Sequence, residues 1–100
     1  MLLNGGTLDG RRYLSEAAVK QMTTKQTGDA VEKNYGFGLD TGGGNYGHGG
    51  AHSTSMNMIP ARGLALVWMV QHAGFPGEGG RSQEVFRKTA DALFGRNAER

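Results

Sequence analysis

The stretch SMNMIPARGLALVWMV, residues 55–70, leaves this chain few ways to fold. Pro60 fixes φ at the first corner of a turn and Gly63 closes it. The flanking segments are both extended in pattern. His52 to Ile59 alternates, with Met56 and Met58 on one face and Ser55 and Asn57 on the other. Leu64 to Val70 is apolar on both faces, the pattern of a buried central strand. A connection as short as Pro60-Ala61-Arg62-Gly63 joins such segments only as antiparallel neighbours. The chain is therefore expected to build an antiparallel sheet.

Glycine sets the second constraint. Many of the 18 glycines cluster between Gly36 and Gly50, with more between Gly74 and Gly80. They follow no period, which excludes a collagen or solenoid repeat. Glycine in a regular element costs roughly 0.5–1 kcal/mol relative to alanine, so such a run implies positive φ or close backbone approach. Tyr35-Gly36-Phe37-Gly38-Leu39 reads as a strand with Tyr35, Phe37 and Leu39 on one face and bare backbone on the other. Gly42-Gly43-Gly44 reads as a hairpin turn leading into Asn45-Tyr46-Gly47-His48.

Helices flank this sheet. Leu14 to Met22 is capped by Ser15, with Leu14 and Val19 placed as a hydrophobic staple and Glu16 and Lys20 matched to the helix dipole. Ser82 to Phe94 repeats Val85, Phe86, Thr89, Ala90, Leu93 and Phe94 at helical spacing, with Ser82 as its cap and Gly95 beyond its end. That stripe is expected to lie across the sheet. Met1 to Gly6 resembles the last turn of a helix, with Asn4 and Gly5 suited to a left-handed cap. A last turn does not nucleate alone, so the chain is expected to start inside an element whose earlier part is absent. Thr7 to Gly10 reads as a turn, Thr23 to Lys33 and Ala73 to Gly80 as loops, and residues 96–100 as a disordered tail. The fold class is α+β: an antiparallel sheet of three to four strands, a short N-terminal helix and a C-terminal helix.

Several function classes are excluded. The net charge is +2 and the basic residues are scattered, without a stripe interleaved with aromatics, so a nucleic-acid partner is not expected. Leu64 to Val70 is too short to span a membrane, and residues 1–6 lack the features of a signal peptide. With no cysteine there is neither a disulfide framework nor a thiolate nucleophile. His48 and His52 are four apart on a strand-like segment, with His72 distant and no carboxylate or cysteine to complete a set, so no metal is expected. The glycine pattern of residues 42–47 precedes a strand instead of a helix, so no dinucleotide cofactor is expected. Neither Gly-x-Ser-x-Gly nor Ser-x-x-Lys occurs: Ser15, Ser53, Ser55 and Ser82 are followed three residues later by Ala18, Met56, Met58 and Val85. Tyr13-Leu14-Ser15 spells Tyr-x-Ser, yet Ser15 is explained as a cap. No serine has an evident base.

His48, alone among glycines in NYGHGGAHSTSM, keeps two readings on local grounds: a histidine in a mobile loop, or one at a point of close approach. The longer stretch YGFGLDTGGGNYGHGGAHSTSMNMIPARGLALVWMVQHAGFPG resembles the C-terminal region of the serine β-lactamase, penicillin-binding protein and esterase superfamily, its class C-like members in particular. There a YGFG strand, a GHGG stretch, a Pro-x-x-Gly hairpin, a hydrophobic strand and a C-terminal helix follow in that order. The front segment MLLNGGTLDGRRYLSEAAVKQM looks like the family's helix, turn and LSxxxV helix, so the resemblance covers about residues 1 to 95. The family's motifs are Ser-x-x-Lys, Tyr-x-Asn or Tyr-x-Ser, and Lys-Thr-Gly or His/Trp-x-Gly. His48-Gly49-Gly50 matches the third, and this chain lacks the first two.

The resemblance implies the C-terminal fragment of a serine acyl hydrolase that acts on an ester or a β-lactam. It assigns His48 a catalytic role and places Gly49, Gly50, Ala51, His52 and Ser53 along the substrate, with a backbone N–H near Ala51 and His52 as oxyanion donor. His72 is expected to be structural. The implied partner is the missing N-terminal half, or a second copy through self-association. The implied setting is a soluble protein of the bacterial cytoplasm or periplasm. Two other readings stay open: a non-catalytic α+β domain that self-associates, and a small-ligand module that uses the glycine loop.

Overall fold

A computed structural model describes residues 1–74 and 77–97. The fold is α+β. A hairpin of β1 (Thr7–Leu8) and β2 (Arg11–Arg12) leads into α1 (Glu16–Met22). A four-stranded antiparallel sheet follows, ordered β3 (Asp40–Gly42), β4 (Asn45–Gly49), β5 (Ser55–Ile59) and β6 (Leu64–Trp68). Helix α2 (Gly79–Phe94) returns against it.

The turn at Pro60 behaves as its sequence dictates. Pro60–Arg62 forms one 3-10 turn, and Gly63 at φ 64 reverses the chain so that β5 and β6 pair from Ile59–Leu64 to Ser55–Trp68. The Gly43-Gly44 turn holds both residues at positive φ, 58 and 79, which matches the twist of β3 and β4. Ser15 caps α1 by accepting the Ala18 N–H at 3.0 Å.

Strand alternation and register define two faces of the large sheet. One carries Thr41, Tyr46, His48, Met56, Met58, Ala65 and Val67. The other carries Gly47, Gly49, Ser55, Asn57, Leu64, Leu66 and Trp68. Helix α2 covers the second face: Phe86 packs on Trp68 with ring centroids 5.4 Å apart, and Gln83 Nε2 donates to Ser55 Oγ at 2.8 Å. The core is small, consisting of Val19, Leu39, Met58, Leu64 and Leu66. Arg62 fastens the two ends of this half. Its Nε and Nη2 donate to Asp91 Oδ1 at 2.6 Å and Oδ2 at 3.3 Å, and its Nη1 to Arg96 O at 2.8 Å.

The structure corrects several expectations. Tyr35 to Leu39 is not a strand: Tyr35 forms a single bridge to Asp40, and the chain bends over Phe37–Leu39, with Gly38 at φ 77. Positive φ at Gly38 breaks the alternation, so Leu39 is buried while Phe37 is exposed. The bare backbone is used as expected, since a Cβ on Gly36 would collide with the Met22 carbonyl of the α1 end. Leu64 to Val70 is not a central strand. β6 ends at Trp68 and lies at the sheet edge among the described residues, with Val67 57% exposed. His52 to Thr54 forms a turn, and β5 begins at Ser55.

The helix ends also differ. Helix α2 starts at Gly79, and Ser82 lies inside it with its hydroxyl donating to Glu78 O at 3.1 Å instead of capping the first turn. Its half-buried positions are Gly79, Gln83, Phe86, Ala90 and Asp91, while Val85, Leu93 and Phe94 are exposed and do not lie across the sheet. Gly95 ends the helix at φ −66, without the left-handed cap. The opening helical turn is a 3-10 turn, Leu2–Asn4, closed by Gly5 at φ 65. The turn over residues 7–10 extends into the β1–β2 hairpin. Of the expected tail, Arg96 is bonded to Arg62 through its N–H at 2.8 Å, and residues 98–100 lie outside the described residues, as do 75 and 76 of the expected 73–80 loop. Among the described residues no helix is long and apolar enough to cross a membrane.

Candidate functional site

Strand β4 carries His48 on the sheet face that α2 does not cover. Gly47 before it is buried and fixed by packing: a Cβ there would meet the Met56 carbonyl and Asn57 Cα of β5. Gly49 after it is different, because a Cβ there would stand 3.7 Å from Thr54 O, an ordinary contact. Packing within this chain thus explains one glycine neighbour of His48 and leaves the other free of steric demand.

His48 is exposed, and two contacts orient its ring. Tyr35 meets it edge to face, with centroids 5.8 Å apart and planes at 83°. The ring's Nδ1 lies on the Gly49 carbonyl. A carbonyl only accepts, so Nδ1 carries the proton in that bond and Nε2 is the nitrogen left for a ligand. Tyr35 is itself held from behind. Lys33 Nζ lies 5.0 Å from its ring centroid and pairs with Asp40 Oδ1 at 3.4 Å. Tyr46 shares the His48 face, and partial burial pushes its phenol above the ordinary value.

Beyond β4 the chain makes a closed turn. Ser53 N–H donates to Gly50 O at 3.1 Å, and Gly50 N–H to Thr54 O at 2.8 Å. A Cβ on Gly50 would collide with Thr54 Oγ1, so a side chain there would force the Thr54 hydroxyl to rotate away. Ala51 and His52 occupy the two central positions, are exposed, and their N–H groups have no partner among the described residues. Ala51, His52 and Thr54 form one wall of an open groove of about 420 Å³, and Met69, Val70 and Gln71 form the other. A second opening, about 230 Å³, runs from His48, Gly49 and Gly50 to Val67 and Met69.

The structure therefore brings His48, Gly49, Gly50, Ala51 and His52 to one exposed edge. The Ser53 side chain is turned away from it: Ser53 is 9% exposed, and its hydroxyl donates to His72 O at 2.7 Å with Gly74 O also within reach. His72 bonds its own neighbour, Nδ1 to Ala73 O at 3.0 Å, and does not join His48. Among the described residues no three His, Asp or Glu side chains gather at a point that could hold a metal. Sequence reasoning missed Tyr35 and Lys33 as neighbours of His48. The available signal was the Tyr-Gly-Phe-Gly segment, read only as a strand. It also missed Met69 to Gln71, which the β5–β6 pairing places opposite the 50–54 turn.

A family model described as Beta-lactamase matches residues 1–89. No curated protein matches the chain.

Proposed function

This chain belongs to the beta-lactamase family, and on that premise we propose that it forms one wall of the acyl-transfer site of a serine hydrolase. His48-Gly49-Gly50 is the third active-site motif in this reading. The nucleophile, with its Ser-x-x-Lys, is supplied by polypeptide outside these 100 residues, whose serines carry no such motif. The observation that supports the reading most strongly is the pair of unpartnered amides, Ala51 and His52, presented at the end of the strand that bears His48.

The chemistry follows from that placement. An attacking serine converts an ester or β-lactam carbonyl into a tetrahedral oxyanion. Fixed N–H donors aimed at the developing charge stabilise it without reorganising, and loss of one such donor costs on the order of a hundred-fold or more in kcat. His48, with Nδ1 committed to Gly49 O, addresses substrate or a neighbouring hydroxyl through Nε2. The absence of a side chain at Gly49 leaves room for the substrate to lie along β4. The nucleophile-bearing segment would cover the open face beside His48, where Val67 and Met69 are 57% and 79% exposed.

The test is turnover. We expect the repurified 100-residue chain to hydrolyse neither chromogenic cephalosporins nor nitrophenyl esters. We expect an in-frame Ser-x-x-Lys, then Tyr-x-Asn or Tyr-x-Ser, in the DNA upstream of Met1. Turnover that titrates with this chain alone, or upstream DNA without those motifs, overturns the reading.

A second reading, a non-catalytic domain that self-associates, is favoured by the outward Val85, Leu93 and Phe94 of α2 and the open edge of β6. Sedimentation of the isolated chain at micromolar concentration should show a dimer or larger. A monomer that unfolds cooperatively would mean that the chain closes its own core.

A further inference from the structure

Among the described residues with positive φ, all are glycine except Asp9 and Ser53. Asp9 lies exposed at the tip of the β1–β2 hairpin, where nothing constrains its side chain. Ser53, at φ 65, is buried. A residue with a Cβ is disfavoured there relative to glycine. The other described residue that is both buried and at positive φ, Gly6, is a glycine, so a serine at this point needs a task for its hydroxyl.

The hydroxyl has one. It reaches the carbonyls of both His72 and Gly74, in the segment that follows β6, and shares one proton between them. A backbone bond runs parallel to it, His72 N–H to His52 O at 3.4 Å. The turn over residues 50–54 is thus closed on itself by Gly50, Ser53 and Thr54 and fastened sideways to residues 72–74. The fastening ties the segment that carries one wall of the groove, Ala51 and His52, to the segment that follows the other, Val70 and Gln71.

We propose that Ser53 is a positioning residue: its hydroxyl holds the Ala51 and His52 amides in place and sets the width of the groove, and it does not touch substrate. This rests on the acyl-transfer reading for its catalytic meaning, although the clamp itself can be measured without a nucleophile.

The decisive variant is Ser53→Gly, which removes the hydroxyl and relieves the backbone at the same time, so the fold is expected to survive. Backbone 15N relaxation on the labelled 100-residue chain reads the result. We expect the order parameters of Ala51 and His52 to fall from the rigid range, about 0.85, to below about 0.6, while β5 and β6 stay rigid and the unfolding midpoint holds. Ser53→Ala keeps the unfavourable φ and loses the bond, so it should loosen the same amides and lower the midpoint as well. In the catalytically competent protein, Ser53→Gly should lower kcat about tenfold and change KM less, because oxyanion donors act on the transition state. Unchanged order at Ala51 and His52 in Ser53→Gly, or loosening spread evenly over the sheet, overturns the clamp. Loosened amides with kcat unaffected would leave the clamp standing and remove its catalytic role.

Discussion

Around β5, β6 and α2, named side chains hold the molecule together. Leu64 and Leu66 are 8% and 7% exposed, Trp68 packs on Phe86, and Arg62 grips Asp91. Between Tyr35 and Gly50, missing side chains do much of that work. Gly36 lets the Met22 carbonyl approach, Gly47 lets β5 approach β4, and Gly50 makes room for Thr54. The first half tolerates change by losing contacts gradually. At Gly36 and Gly47 the second has backbone on both sides of the contact, so an added methyl has nowhere to go, whereas at Gly50 the neighbour is the Thr54 side chain. The candidate site lies on the second kind of structure, which can place amides and a histidine accurately with few atoms.

Four substitutions test that contrast, each read by urea denaturation. The largest effect is expected from Gly47→Val. Its side chain meets the Met56 carbonyl and Asn57 Cα, neither of which can rotate away, so we expect a loss of about 4 kcal/mol or more, or no folded protein. A native-like Gly47→Val would show that β4 and β5 are not held by close approach. Leu66→Ala comes next, at about 2–4 kcal/mol, because it opens a cavity under α2 that the helix fills only in part. A loss below about 1 kcal/mol would mean that α2 does not seal this face.

Arg62→Ala should cost about 1–2 kcal/mol, since four acceptors lose a donor but the Asp91 carboxylate, 42% exposed, recovers water. Near-wild-type stability would reduce the lock to a surface ion pair. Gly49→Ala should be the smallest, about 1 kcal/mol or less, because its Cβ finds only ordinary contact at 3.7 Å from Thr54 O. In the catalytically competent enzyme the same change should raise KM several-fold. A large stability loss at Gly49 would show that packing, and not ligand access, requires that glycine.

The same contrast explains what could be read from the sequence. Ser15 and the Pro60–Gly63 turn work locally, through one side chain or one fixed φ, and both were legible. The Met56/Met58 alternation and the β5–β6 pairing were legible for the same reason. The segment 35–39 was misread because Tyr-x-Phe-x-Leu alternates like a strand while Gly38 turns left-handed, and a sequence does not display φ. Placing β6 at the centre failed because an apolar run reports burial of both faces, whereas here Val67 faces outward on an uncovered surface. Ser82 was read as a cap because a serine before an apolar stripe usually is one, but Gly79 and Gly80 had already begun the helix. At the candidate site, His48-Gly49-Gly50 stood out by its pattern as the proposed third motif. Tyr35 against His48, and Ser53 against residues 72 and 74, depend on contacts that no spacing encodes.

The most direct measurement is the effect of His48→Ala on kcat/KM when the chain is joined to the Ser-x-x-Lys segment that the proposed function requires, with His72→Ala as control. Both variants must first be matched for folding. His48 is exposed, so its loss should leave stability nearly unchanged, and His72 lies apart from it. We expect His48→Ala to lower kcat/KM by roughly ten- to a thousand-fold, about 1.4–4 kcal/mol of transition-state stabilisation, and His72→Ala to stay within about two-fold. Full activity in His48→Ala, with the acylated serine identified, would contradict the assignment of His48-Gly49-Gly50 as the third motif.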